Sequence, residues 1–126
     1  MHDILIAIGT NVIADRIRFV EECLEQCFEN VRFTHTIPTE PIGERFKGKQ
    51  FINAVMAGNT NLAMSEVEDQ LKLIEQLAGN TLDKRNMGVV EADIDLLMYD
   101  DVKLHEKDWQ RSYIKELVER IKEMKS

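Results

Sequence analysis

The sequence predicts an α+β fold, a βαββαβ sandwich whose antiparallel sheet carries its helices on one face, with an extra C-terminal helix. Three observations predict it. Four short segments are apolar runs or alternate apolar and polar residues, and three longer ones repeat apolar residues at helical spacing. The two kinds follow in the order strand, helix, strand, strand, helix, strand, helix. All six glycines and both prolines fall at segment ends or between segments, where chain reversal needs them. A length of 126 residues with 44% hydrophobic content suits a single domain over residues 1–126 with a modest core.

The first strand is residues 4–8, an apolar run that ends at the turn Gly9, Thr10 and Asn11. Asn11 or Asp15 is expected to cap the next helix, in which Ile17, Val20, Leu24, Cys27 and Phe28 form one face up to Asn30. Glu21, Glu22, Glu25 and Glu29 form its solvated side. Residues 31–37 alternate with period two, so Val31, Phe33, His35 and Ile37 are expected on one face of a half-buried strand. Residues 38–50 hold both prolines, two glycines, Arg45, Lys47 and Lys49, and read as a long basic loop. A third strand covers residues 51–58. Ser65 and Glu68 have the spacing of a capping box, and Val67, Leu71, Ile74 and Leu77 continue as a helix that stops at Gly79 and Asn80. A second basic loop, residues 81–88, contains Lys84 and Arg85. The last strand spans residues 91–99. Ile114, Leu117, Val118 and Ile121 define a final amphipathic helix over residues 112–125. This order is the split βαβ pattern of a ferredoxin-like sandwich, a fold that hosts many functions, so function has to be sought in a site.

Sixteen basic against 23 acidic residues leave a formal charge of -7, which argues against nucleic acid or an anionic membrane as a partner. An anionic substrate would need a local basic cluster or a metal. Cys23 and Cys27 lie four apart on one helix face and read as core thiols rather than a disulfide framework. No stretch approaches the ~18 apolar residues of a membrane span, and the first residues lack a basic segment before a long apolar run, so a soluble, cytoplasmic protein is expected.

Asp93 and Asp95 are the most informative pair. Side chains on a strand alternate, so both point to one face. Two neighbouring carboxylates repel, and a bound cation or a shared proton compensates. Magnesium, which takes one or two carboxylates and fills its shell with water and phosphate, suits such a pair. The plain alternative is a strand edge guarded by two solvated acids.

Several ordered segments together resemble the 6-hydroxymethyl-7,8-dihydropterin pyrophosphokinases. They are the strand and turn from Ile6 to Asn11, the loop Thr39-Glu40-Pro41-Ile42-Gly43, the strand Phe51-Ile52-Asn53-Ala54-Val55, Ile74-Glu75 with Gly79, and the acidic strand from Ala92 to Tyr99. His105, Arg111 and Tyr113 keep the family's spacing of a histidine, an arginine and an aromatic. The resemblance covers nearly the whole chain. It implies transfer of pyrophosphate from ATP to a reduced pterin, giving AMP, with two magnesium ions held by Asp93 and Asp95 and ATP as co-substrate. Catalysis would be by positioning and charge neutralisation. It also implies that Asn53, Phe51 and Tyr113 hold the pterin with backbone groups near Thr39 and Ile42, while His105 and Arg111 meet the ATP phosphates. Glu75, Lys84 and Arg85 fall on the ATP side. The expected partners are ATP and a pterin, without nucleic acid or membrane, in a monomer or weak homodimer.

Each residue also has a plainer role. Asn53 could cap a strand end, Phe51 could be core, and His105, Arg111 and Tyr113 could belong to a loop and a first helical turn. Glu75 could be a solvated or ion-paired helix residue. The phosphate-handling loop departs from the family: Asn80 and Met87 stand where an arginine and a tryptophan are expected, and Gly88-Val89-Val90 replaces Gly-Pro-Arg. Lys84 and Arg85, or Lys47 and Lys49, are the available replacements, though a lysine lacks the guanidinium fork. Three readings follow: a pyrophosphokinase, a weakened relative that binds a pterin or nucleotide, and a structural domain with a polar edge.

Overall fold

The computed structural model describes residues 1–11, 15–39, 51–79 and 90–124. Their elements are β1 (His2–Thr10), α1 (Asp15–Cys27), β2 (Glu29–Phe33), β3 (Ile37–Thr39), β4 (Phe51–Thr60), α2 (Met64–Leu77), β5 (Asp93–Tyr99), β6 (Val102–Lys103), α3 (Glu106–Trp109) and α4 (Ser112–Glu123). The strands form one antiparallel sheet in the order β2-β4-β1-β5-β6, with β3 also paired to β4. The predicted α+β architecture is present. None of the described helices is long and apolar enough to cross a membrane.

Alternation along β1 divides the core in two. Ile4, Ile6 and Ile8 face α1 and α2, where Ile17, Val20, Leu24, Val67, Leu71 and Ile74 close one cluster. Leu5 faces the other way, toward Val55, Leu97 and the α4 residues Ile114, Leu117, Val118 and Ile121. Each of these buried α4 side chains contributes about 1.5–3 kcal/mol relative to exposure. The C-terminal helix thus covers the face that α1 and α2 leave. Cys23 and Cys27 are free thiols packed against the first cluster, as core thiols would be.

Several local expectations are corrected. The first helix stops at Cys27 and β2 begins at Glu29, with Asn30 at a positive φ of 53°. Asn11 is tied to Val90: Val90 N donates to Asn11 Oδ1 at 2.7 Å, and Asn11 N donates to Val90 O at 3.0 Å, while residues 12–14, which lead from it to α1, lie outside the described residues. Helix α2 begins at Met64, so Ser65 and Glu68 lie within it. Glu66 Oε1 accepts from Ala63 N at 2.9 Å, which leaves only half a capping box because alanine offers no acceptor.

The strand expected over residues 31–37 is broken. Phe33 pairs with Met56 and Ile37 with Asn53, so four steps on one chain match three on the other. One extra residue reverses the side-chain face. Val31 and Phe33 accordingly pack on the α1 and α2 side, Ile37 packs on the α4 side, and His35 is exposed. Thr34 makes the break possible. Its N donates to Val55 O at 2.9 Å, and its buried hydroxyl replaces its own carbonyl as acceptor for Val55 N, also at 2.9 Å. Thr34→Val keeps the shape and strands that N–H, so chemical denaturation should show a loss of about 1–3 kcal/mol.

Candidate functional site

Three strands build the site on the α4 face. Ala7 on β1 pairs with Val55 and Asp95, and Gly9 pairs with Asn53 and Asp93. Cross-strand partners share a face, so Asn53, Gly9 and Asp93 form one row and Ala7 and Asp95 begin the next. Asn53 and Asp93 are separated by two strand spacings, roughly 10 Å. With small residues on β1 between them, a cavity of about 230 Å³ opens over the sheet. Thr39, Phe51 and Asn53 line one side, Asp93 and Asp95 the other, and Asp108, Arg111 and Tyr113 lie along the segment that leads into α4.

Gly9 is a strand residue, not the turn residue its neighbours suggested. A Cβ built there would sit 3.2 Å from Asn53 Oδ1, so a larger residue would displace the amide. Asn53 is itself buried, and its Nδ2 donates to Thr39 Oγ1 at 2.7 Å. That bond fixes which way the amide faces. A buried asparagine in a central strand is disfavoured unless its polar atoms are used. Thr10 and Asn11, just past Gly9, hold the segment that enters β5: Thr10 Oγ1 donates to Val90 O at 3.2 Å beside the two Asn11 contacts.

The acidic side is electrostatically tense. Burial pushes the Asp95 carboxyl up to about 7, Asp93 adds to the rise, Asp108 and Glu75 raise it further, and His105 opposes them. A group in that state favours a proton or a cation. No three His, Cys, Asp or Glu side chains among the described residues are arranged to hold a metal ion by themselves. Two carboxylates with open space above them fit magnesium, which keeps waters and takes phosphate oxygens, better than a closed all-protein cage.

Glu75 and His105 lie on a second concavity, at the β5 edge beside α2, which Asp93, Asp95 and Lys72 also line. Glu75 Oε2 accepts from Ile94 N at 2.8 Å and so satisfies an edge donor of β5. His105 is exposed, in the left-handed region with φ 54°, and precedes α3. Arg111 and Tyr113 touch: Arg111 Nη1 donates to the Tyr113 hydroxyl at 3.0 Å. The fold thus brings Thr39, Phe51, Asn53, Asp93, Asp95, Arg111 and Tyr113 around one cavity, with Glu75 and His105 on the outer side of the acid pair. Ile42, Lys84 and Arg85 lie outside the described residues.

Sequence reasoning missed four contributors. Ala7 and Gly9 form the floor, and their signal was two small residues two apart in an otherwise bulky apolar strand. Asp108 sits three positions before Arg111, an ion-pair spacing, with Oδ1 and Nη2 3.5 Å apart. Trp109 anchors the segment by donating Nε1 to Leu97 O and Leu104 O, which nothing in its local pattern signals.

A family model described as 7,8-dihydro-6-hydroxymethylpterin-pyrophosphokinase (HPPK) matches residues 5–123. No protein in a search of curated proteins matches the chain.

Proposed function

Because the chain belongs to the 7,8-dihydro-6-hydroxymethylpterin-pyrophosphokinase (HPPK) family, we propose that it transfers pyrophosphate from ATP to the hydroxymethyl group of 6-hydroxymethyl-7,8-dihydropterin. The family is one of kinase-type transferases in folate biosynthesis. The observation that carries the proposal for this chain is the cavity with an oriented amide, Asn53, on one side and the acid pair, Asp93 and Asp95, on the other. Their separation of roughly 10 Å leaves room for a two-ring heterocycle between them.

In the proposed reaction the substrate hydroxyl attacks the β-phosphorus of ATP. The bond from that phosphorus to the oxygen bridging the α-phosphate breaks, the hydroxyl proton passes to solvent, and AMP leaves. Asn53 offers both a donor and an acceptor to the amide-like edge of the pterin, and Phe51 and Tyr113 offer flat faces. Arg111 supplies a guanidinium for phosphate oxygens. Asp93 and Asp95 would hold magnesium, which neutralises triphosphate charge when bound. The protein's remaining task is to position two substrates in line.

The test is direct: with ATP, magnesium and the hydroxymethyl pterin, the protein forms AMP and the pterin diphosphate. Absence of AMP over a wide enzyme range would sink the catalytic claim. A second reading, a pterin- or nucleotide-binding module, is favoured by Val90. This buried residue lines the cavity at a position where the family pattern has an arginine, so no cation comes from there. Binding without turnover in calorimetry would select that reading.

Gly9→Ala provides an independent check of the pterin side. The new methyl group presses on Asn53 Oδ1 and turns the amide. Pterin affinity should fall about tenfold, the worth of a mispaired polar contact. Titration calorimetry with the pterin alone measures it.

A further inference from the structure

Asp108 is held more firmly than its place on a four-residue helix suggests. The next residue, Trp109, donates Nε1 to Leu97 O at 3.1 Å and to Leu104 O at 3.0 Å, and Leu104 N donates to the same Leu97 carbonyl at 2.8 Å. These bonds tie α3 to β5, the strand that carries Asp93 and Asp95. Arg111 N also donates to Asp108 O at 3.1 Å, which keeps the two residues in register.

Among the described residues that line the cavity, Arg111 is the one basic side chain against three carboxylates, Asp93, Asp95 and Asp108. Its guanidinium is occupied on two sides. Nη1 donates to the Tyr113 hydroxyl, and Nη2 lies 3.5 Å from Asp108 Oδ1. The latter is an ion pair too long to be a good hydrogen bond, so it is open to exchange. A phosphate oxygen that binds this cation on its Nη2 side takes the place of the Asp108 carboxylate.

We propose that Asp108 is a positioning residue for Arg111, holding its guanidinium beside Tyr113 until a nucleotide phosphate displaces the acid. The inference rests on the nucleotide reading of the site given above. Acid and phosphate then compete for one cation, so the carboxylate weakens nucleotide binding through Arg111. A part-exposed ion pair of this kind changes affinity about two- to fivefold.

The experiment is calorimetry with magnesium and a non-hydrolysable ATP analogue on four proteins: wild type, Asp108→Asn, Arg111→Gln and the double variant. Circular dichroism checks that each is folded, and Asp108→Ser serves as a second replacement. The expected result is that Asp108→Asn tightens binding about two- to fivefold when Arg111 is present and has no effect when glutamine replaces it. Equal tightening in both backgrounds would mean that Asp108 simply repels phosphate, and would overturn the inference while leaving the nucleotide reading intact. Weaker binding in Asp108→Asn would overturn it as well. A folded wild type that binds no analogue would remove the nucleotide reading, and this inference with it.

Discussion

Asp95→Ala abolishes AMP formation without unfolding the protein. The expected loss is about a thousandfold or more, because removing one of two metal-holding carboxylates removes several kcal/mol of charge neutralisation from the transferring phosphates. Folding should survive, since the change deletes a carboxylate that burial and Asp93 already disfavour in its ionised form. The discriminating measurement pairs turnover with thermal denaturation. Loss of activity with an unchanged or higher Tm assigns the effect to the site, whereas full activity in a folded variant contradicts the assignment of the acid pair.

The metal-free protein is more stable at mildly acidic pH than at pH 8. Asp95 holds its proton up to about pH 7 in the folded chain, whereas in the unfolded chain it has the ordinary value of 3.8. Between those values the folded state binds more protons than the unfolded state, so raising the pH favours unfolding. The stability present at low pH is therefore lost as the pH rises toward 7. Its size is about 2–4 kcal/mol, given the partial access of water to the site. Asp95→Asn removes the dependence and should raise the Tm at pH 8 by roughly 5 °C or more. Magnesium should act in the same direction on the wild type by offsetting the charge, an effect absent from the variant. Thermal denaturation from pH 4.5 to 8, with and without magnesium, measures all three. A flat wild-type profile would contradict the electrostatic account.

Both effects come from a pair that could be read from spacing alone. Period-two alternation puts Asp93 and Asp95 on one face of any regular strand, and β5 is regular there. Asn53 was legible in the same way, as an asparagine where a central strand disfavours one. The relation of Arg111 to Tyr113 was not. Residues two apart on a helix do not face each other, but Arg111 is the extended residue before α4, with φ -74° and ψ 135°, and from there its side chain reaches the tyrosine hydroxyl. The break at Thr34 was hidden for a related reason. Residues 31–37 alternate well by themselves, and only their pairing with Val55 and Asn53 introduces the extra residue that turns Ile37 to the other face.

By itself the sequence determined the order and type of seven elements, though not β6, α3 or the division of residues 31–37, together with the shared face of the two acids and the ordered motifs that resemble the pyrophosphokinase family. Those follow from local periodicity and motif spacing along the chain. Only the tertiary structure decided which face of the sheet α4 covers, and hence that Asp108, Arg111 and Tyr113 meet the acids of β5 and the amide of β4 over the small residues Ala7 and Gly9. The physical reason is that faces and registers are selected by contacts between residues far apart in sequence. Thr10 and Asn11 hold Val90, and Trp109 reaches back to Leu97, so the two ends of the acidic strand are positioned by partners that no local pattern names.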